Sequence, residues 1–109
     1  MVMVYDTHLA DRVRELVGPE AGVSEKRMFG GLAFLIDGHM AVAVSGQGGL
    51  MVRADPAQSK TLLGLAHVSP MVMRGKELTG WIRVATDGLK TRKLLQTWVD
   101  RGVARARLA

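Results

Sequence analysis

KRMFGGLAF (residues 26–34) runs into Leu35 and then IDGHMAVAV (residues 36–44), and together they decide the fold. A basic pair leads to Met28 and Phe29, two glycines come next, and an alternating apolar run begins. Two glycines here can cradle a phosphate or satisfy a tight strand geometry. The spacing rejects the cradle. GxGxxG needs a third glycine where Leu32, Ala33 and Phe34 stand. Gly46-Gln47-Gly48-Gly49 comes closer, but a strand pattern succeeds it, so no helix N-terminus points at an anion. Gly75-Lys76 fails as a nucleotide loop, because Pro70 holds the first glycine's place and Glu77 the hydroxyl's. Gly30 and Gly31 therefore predict a bulge or tight bend between two strands, with Phe29 and Leu32 pinned into the core on either side.

Outward from this stretch the period is two. Leu32, Phe34 and Ile36 alternate with Ala33 and Leu35, and Asp37-Gly38 is a two-residue hairpin signal. Met40, Val42 and Val44 share one face of the returning strand, with His39, Ala41, Ala43 and Ser45 on the other. Small residues on that second face predict close packing or a lightly covered surface. Glycines 46, 48 and 49 turn the chain into a strand from Leu50 to Arg53. The result is an antiparallel meander.

Helices flank it. Asp6 or Thr7 can cap a helix with Leu9, Val13, Leu16 and Val17 on one face, stopped by Gly18-Pro19. Asp55-Pro56 starts a short helix to about Leu65, proline standing where its missing N–H is harmless. Residues 67–78 are ambiguous: Pro70 interrupts them, and Met71–Met73 can pair briefly as a strand. Trp81–Val84 reads as a last strand. A final helix spans about Leu89 to Ala106, with Thr91, Leu94, Leu95, Trp98, Val99, Gly102, Val103 and Ala106 on its apolar side. The reading is α+β and two-layered: an antiparallel meander with helices packed on it, order α-β-β-β-β-α-β-α.

The 109 residues, 48% hydrophobic, suit one domain over residues 1–109. Without cysteine there is no disulfide or thiolate site, and a reducing cytoplasm is the expected home. The start, MVMVYDTHLADR, lacks a signal peptide's basic and apolar regions, and no apolar run approaches the roughly 20 residues that span a bilayer. No membrane partner is expected.

No catalytic, metal or cofactor constellation emerges. His8, His39 and His67 lie far apart, and none stands at helical spacing from a ligand set. Ser45 lacks the first glycine of a nucleophile elbow, since Ala43 holds that place. The ten carboxylates are scattered. The expectation is a non-enzymatic protein with no cofactor and no metal.

Charge is unevenly spread. Residues 1–73 hold six Lys/Arg and seven Asp/Glu, a net −1; residues 74–109 hold nine and three, a net +6. This excess is a solvated helix face or a nucleic-acid contact through Lys90, Lys93, Arg101, Arg105 and Arg107. Two Trp, two Phe and one Tyr make a poor stacking platform for single strands. The seven methionines fill gaps in a core or offer a repackable patch, with Met71 and Met73 beside Pro70 as the candidates for a partner surface.

KRMFGGLAF, the IDGHMAVAV hairpin, LMVRAD (residues 50–55) and the distal GWIRV (80–84) with LLQTWVDRGVARAR (94–107) resemble the N-terminal domain of TfoX/Sxy-like proteins over about residues 6–108. Arg27, Met28, Phe29, Gly30 and Gly31 match the family motif, and their expected role is to shape the fold. The resemblance implies an antiparallel sheet with packed helices, similar to secretion-chaperone-like domains. It also implies a regulator of bacterial competence genes that acts with other transcription factors. Full-length members carry a second, helical domain; a chain ending at Ala109 leaves it no room, so a single-domain member is expected. The leading expectation is an accessory regulator that works by protein–protein contact and pairs with itself through a sheet edge or the methionine-bearing loop. Direct nucleic-acid binding by the last helix is the alternative, and a ligand-binding domain or enzyme built on residues 67–80 comes third.

Overall fold

The structure, a computed structural model, describes residues 5–28 and 30–109, apart from the side chain of Met73. Helix α1 (Thr7–Val17) is capped by Asp6, whose carboxylate accepts the Leu9 N–H at 3.0 Å. Strands β1 (Val23–Met28), β2 (Gly31–Ile36), β3 (His39–Val44) and β4 (Leu50–Arg53) come next, then helix α2 (Pro56–Leu62). Asp55 caps α2 by accepting the Ala57 N–H at 2.9 Å, with Pro56 at its first position. Strands β5 (Val68–Met73) and β6 (Lys76–Val84), a 3₁₀ turn (Thr86–Leu89) and helix α3 (Arg92–Arg107) complete the chain.

All strand pairs are antiparallel, in the order β1-β2-β3-β4-β6-β5. The first four strands are the expected meander. The ambiguous segment resolves into β5 and the turn into β6, which starts earlier than Trp81. β6 docks beside β4 and leaves β5 at the sheet edge, where Pro70 coincides with a register shift and its missing N–H is tolerated.

The main core lies between one face of the sheet and helices α1 and α3. Phe34, Ile36, Leu50, Ile82, Leu89 and Leu95 are almost fully enclosed there. Each contributes about 1.5–3 kcal/mol relative to exposure. Trp98 anchors α3 on the sheet and is 7% exposed.

Three local expectations are corrected. The last helix is not continuous from Leu89. Thr91 lies outside its apolar face, because its side chain caps α3 by accepting the Leu94 N–H at 3.1 Å, and Leu94 points outward at 43% exposure. Alternation grouped Met40 with Val42 and Val44, but a register shift between Phe34 and Leu35 turns Met40 to the opposite face and brings Ala41 into the main core. The short helix α2 ends at Leu62 rather than Leu65.

Among the described residues, no helix is long and apolar enough to cross a membrane.

Candidate functional site

The glycine pair divides its duties. Met28 pairs with Gly31, so the chain reverses between them, and Gly30 lies in that connection. Gly30 has φ +73° in open space, a conformation that glycine adopts at no steric cost. Gly31 is buried in β2, where a Cβ would collide with the Val44 carbonyl oxygen. Leu32 enters the core as expected, at 5% exposure, while Phe29 lies outside the described residues. Arg27 is exposed on the edge strand opposite Leu32, and Met28 is half-buried on the other side of the sheet.

That other side carries a second apolar layer. Ala33, Ala43, Met51 and Met71 form its buried floor; Met28, Leu35, Met40, Leu78 and Trp81 pack over it, partly exposed. Register explains the grouping, because residues opposite one another in an antiparallel pair share a face. Ala33 faces Ala43, Ala43 faces Met51, and Met51 faces Arg83 across four strands. Among the described residues, α1 and α3 bury their apolar faces on the opposite side of the sheet, in the main core. Of the small residues that signal a lightly covered face in β3, Ala43 lies here, whereas Ala41 lies in the main core. Four of the seven methionines meet on it, from positions 28, 40, 51 and 71, and no single segment announces that convergence.

The charges on this face are positive. Lys26 pairs with Ala33, Arg53 with Trp81 and Arg83 with Met51, so all three occupy its register positions. Arg83 also donates to the Gly48 carbonyl at 2.6 Å and to the Gln47 side chain at 3.1 Å, tying the β3–β4 loop to β6. Of the strand carboxylates, Glu25 turns to the helix side, where Arg14 donates to it at 2.6 and 2.9 Å. That bond lowers the Glu25 pKa, the attraction of the Arg14 charge adds to it, and partial burial opposes both. Glu77 lines a groove between α2 and β6, with Pro56 and Lys60 on the α2 side and Leu78 and Trp81 of the second layer beside it. A cavity of about 190 Å³ lies between Met51, Met71, Arg74 and Arg83.

The candidate basic residues are spread over the far side of the molecule. Lys90 pairs with Asp87 at 3.3 Å and Arg107 with Glu20 at 2.9 Å. Arg101 lies 5.7 Å over the Trp98 ring, with its Nε buried and unpartnered. Lys93 is exposed, and Arg105 lines a larger groove of about 450 Å³ between α2 and α3. That groove mixes both signs of charge: Asp55 precedes α2 on one side, and Asp100, Arg101 and Arg105 line it from α3. Asp55 is engaged as the α2 cap, and Asp100 accepts from Gln96 at 2.6 Å. Of the candidate partner patch, Met71 sits in the second layer at 7% exposure, and the Met73 side chain lies outside the described residues.

This is a two-layer α+β domain in which, among the described residues, the second sheet face lacks the helical cover of the first. The chain belongs to the TfoX N-terminal domain family, whose model matches residues 15–106. No curated protein matches the chain.

Proposed function

We propose that this chain is a non-enzymatic, cytoplasmic binding domain that works by protein–protein contact, as an accessory regulator of the competence type that its family suggests. The observation that carries this reading is the methionine-bearing sheet face. A sheet buries one face on helices, and its second face calls for another layer or for a polar surface. Here it is apolar at its centre and half-covered. Methionine surfaces repack around varied partners, which suits a regulatory contact.

A photo-crosslinking residue placed at Leu35 in the living cell tests the reading, with the same residue at Lys93 on α3 as comparison. The expected result is a discrete protein adduct from Leu35 that disappears in a Met40→Glu background. Adducts from Lys93 alone, or nucleic-acid adducts from that position, overturn it in favour of the basic helix.

A further inference from the structure

We infer that the methionine-bearing sheet face receives one amphipathic helix of a partner protein, with an apolar stripe flanked by acidic residues. This rests on the protein-contact reading above and names the occupant.

Shape comes first. Ala33 and Ala43 stand directly opposite each other on β2 and β3, and long side chains rise around them. Met28 stands on β1 to one side of the pair, Met51, Trp81 and Met71 stand on β4, β6 and β5 to the other, and Leu35 and Met40 pack at one end on β2 and β3 themselves. The small pair is thus the bottom of a trough, and a ridge of side chains on a helix fills such a groove. A strand is the wrong occupant. It would pair at β1 or β5, the sheet edges, and leave the trough uncovered. From β1 to β4 the trough is three strand spacings wide, about 14 Å, room for one helix of about 10–12 Å diameter.

Charge selects the partner. Lys26 flanks the trough from β1, and Arg53 and Arg83 flank it from β4 and β6. Where β1 to β4 pair with one another and β4 with β6, no carboxylate occupies a register position on this face; Glu77 stands opposite Val72 at the far end of β6. A second copy of the chain is therefore disfavoured: a two-fold contact brings the same patch to itself, cation-bearing face to cation-bearing face, with no acid at the trough to answer. A helix carrying Glu or Asp beside its apolar stripe meets cations on both sides of the trough.

The test uses displayed 18-residue amphipathic helices with a fixed Leu/Ile stripe and flanks randomised among Glu, Gln and Lys. They are selected on the intact protein and on the Lys26→Glu/Arg53→Glu double variant. Lys26 is exposed, and Arg53 reaches only the Met40 carbonyl, at 3.5 Å, so the double variant keeps the fold. The expected result is enrichment of Glu flanks on the wild type and Lys flanks on the variant. Affinity of the selected acidic peptide falls about tenfold or more on charge reversal, as two lost rim contacts dictate. The ε-methyl NMR signals of Met28, Met40, Met51 and Met71 should shift in the complex. Flank preferences identical on both proteins, binders that leave those methyls unmoved, or self-association through this face overturn the inference. If it fails while the Leu35 crosslink to protein persists, the contact surface stands and only its occupant was misassigned. If both fail, the protein-contact reading goes too.

Discussion

Gly31 lies so close to Val44 that a single methyl group on it would overlap the Val44 carbonyl oxygen, with the Gly46 amide only 3.2 Å from the same point. Its neighbour Gly30 has open space but a positive φ. The two glycines are needed for different reasons, and substitution separates them. Gly30→Ala strains only the local backbone and is expected to cost about 1 kcal/mol. Gly31→Ala forces β2 and the end of β3 apart and is expected to cost about 3 kcal/mol. Urea denaturation midpoints give the comparison; equal losses would mean that Gly31 is a turn residue only.

Gly102 is where α3 touches the sheet. An added Cβ there meets the Ala41 carbonyl and comes within 2.7 Å of Val42 Cγ1. Alanine gains about 1 kcal/mol of helix propensity, but overpacking against β3 costs up to about 3 kcal/mol. The clash wins, and Gly102→Ala is expected to lower stability by about 2 kcal/mol. A more stable variant in thermal melts would show that α3 rides further from β3.

Leu50 and Met51 are adjacent in β4 and face opposite layers. Leu50 is fully enclosed in the main core, whereas Met51 is 6% exposed in the thin second layer. Leu50→Ala leaves a cavity beneath α3 and is expected to cost about 3 kcal/mol. Met51→Ala lets half-exposed neighbours settle into the space and is expected to cost about 1 kcal/mol, below the usual buried-methionine range. Equal costs by urea denaturation would show that the second face is as rigidly packed as the first.

Glu25 ties edge strand β1 to α1 through Arg14. Its carboxyl is held below the ordinary value, chiefly by the Arg14 hydrogen bonds. Arg14 is pushed further upward by the same contact and stays charged throughout the accessible range. A lowered folded-state pKa means that folding favours the ionised form. The contribution is complete above the unfolded carboxyl's pKa, about 4.3, and is lost as pH falls through the lower folded value. Glu25→Gln is therefore expected to lower the denaturation midpoint at pH 7 and to match the wild type increasingly closely below about pH 4. A gap that persists undiminished in acid would show that the pair acts by packing rather than charge.

The C-terminal helix is expected to be a poor DNA ligand. Lys90 and Arg107 are held by Asp87 and Glu20, and Arg101 lies over Trp98. Lys93 and Arg105 remain as the principal phosphate contacts. Two neutralised phosphates give a log–log salt slope of about −2. In fluorescence anisotropy with mixed-sequence duplex, binding at low salt is expected to vanish at physiological ionic strength. A slope of about −5, abolished by Lys93→Glu with Arg101→Glu, would promote the helix to a nucleic-acid surface.

Much of this protein is set by short-range rules. Period-two alternation from Leu32 onward, Asp37-Gly38, and the caps at Asp6 and Asp55 are local codes, and each produces the element it predicts. Gly30 and Gly31 are legible as strand geometry rather than phosphate chemistry, because the glycine spacing is itself local. Long-range packing settles the rest. The docking of β6 between β4 and β5 depends on pairing partners far apart in the chain. The shift at Phe34/Leu35 moves Met40 to the other face, and alternation cannot foresee a bulge, because one extra residue exchanges the two faces of a strand on either side of it. Methionines 28, 40 and 51 are not marked out as a surface by their own strands, and Met71 stands out only with Met73 beside Pro70; a shared register across the sheet gathers the four with Lys26, Arg53 and Arg83 into one surface. Side-chain period assigns each residue to a face of its own strand, but only the completed sheet determines which strands share that face and which side the helices cover.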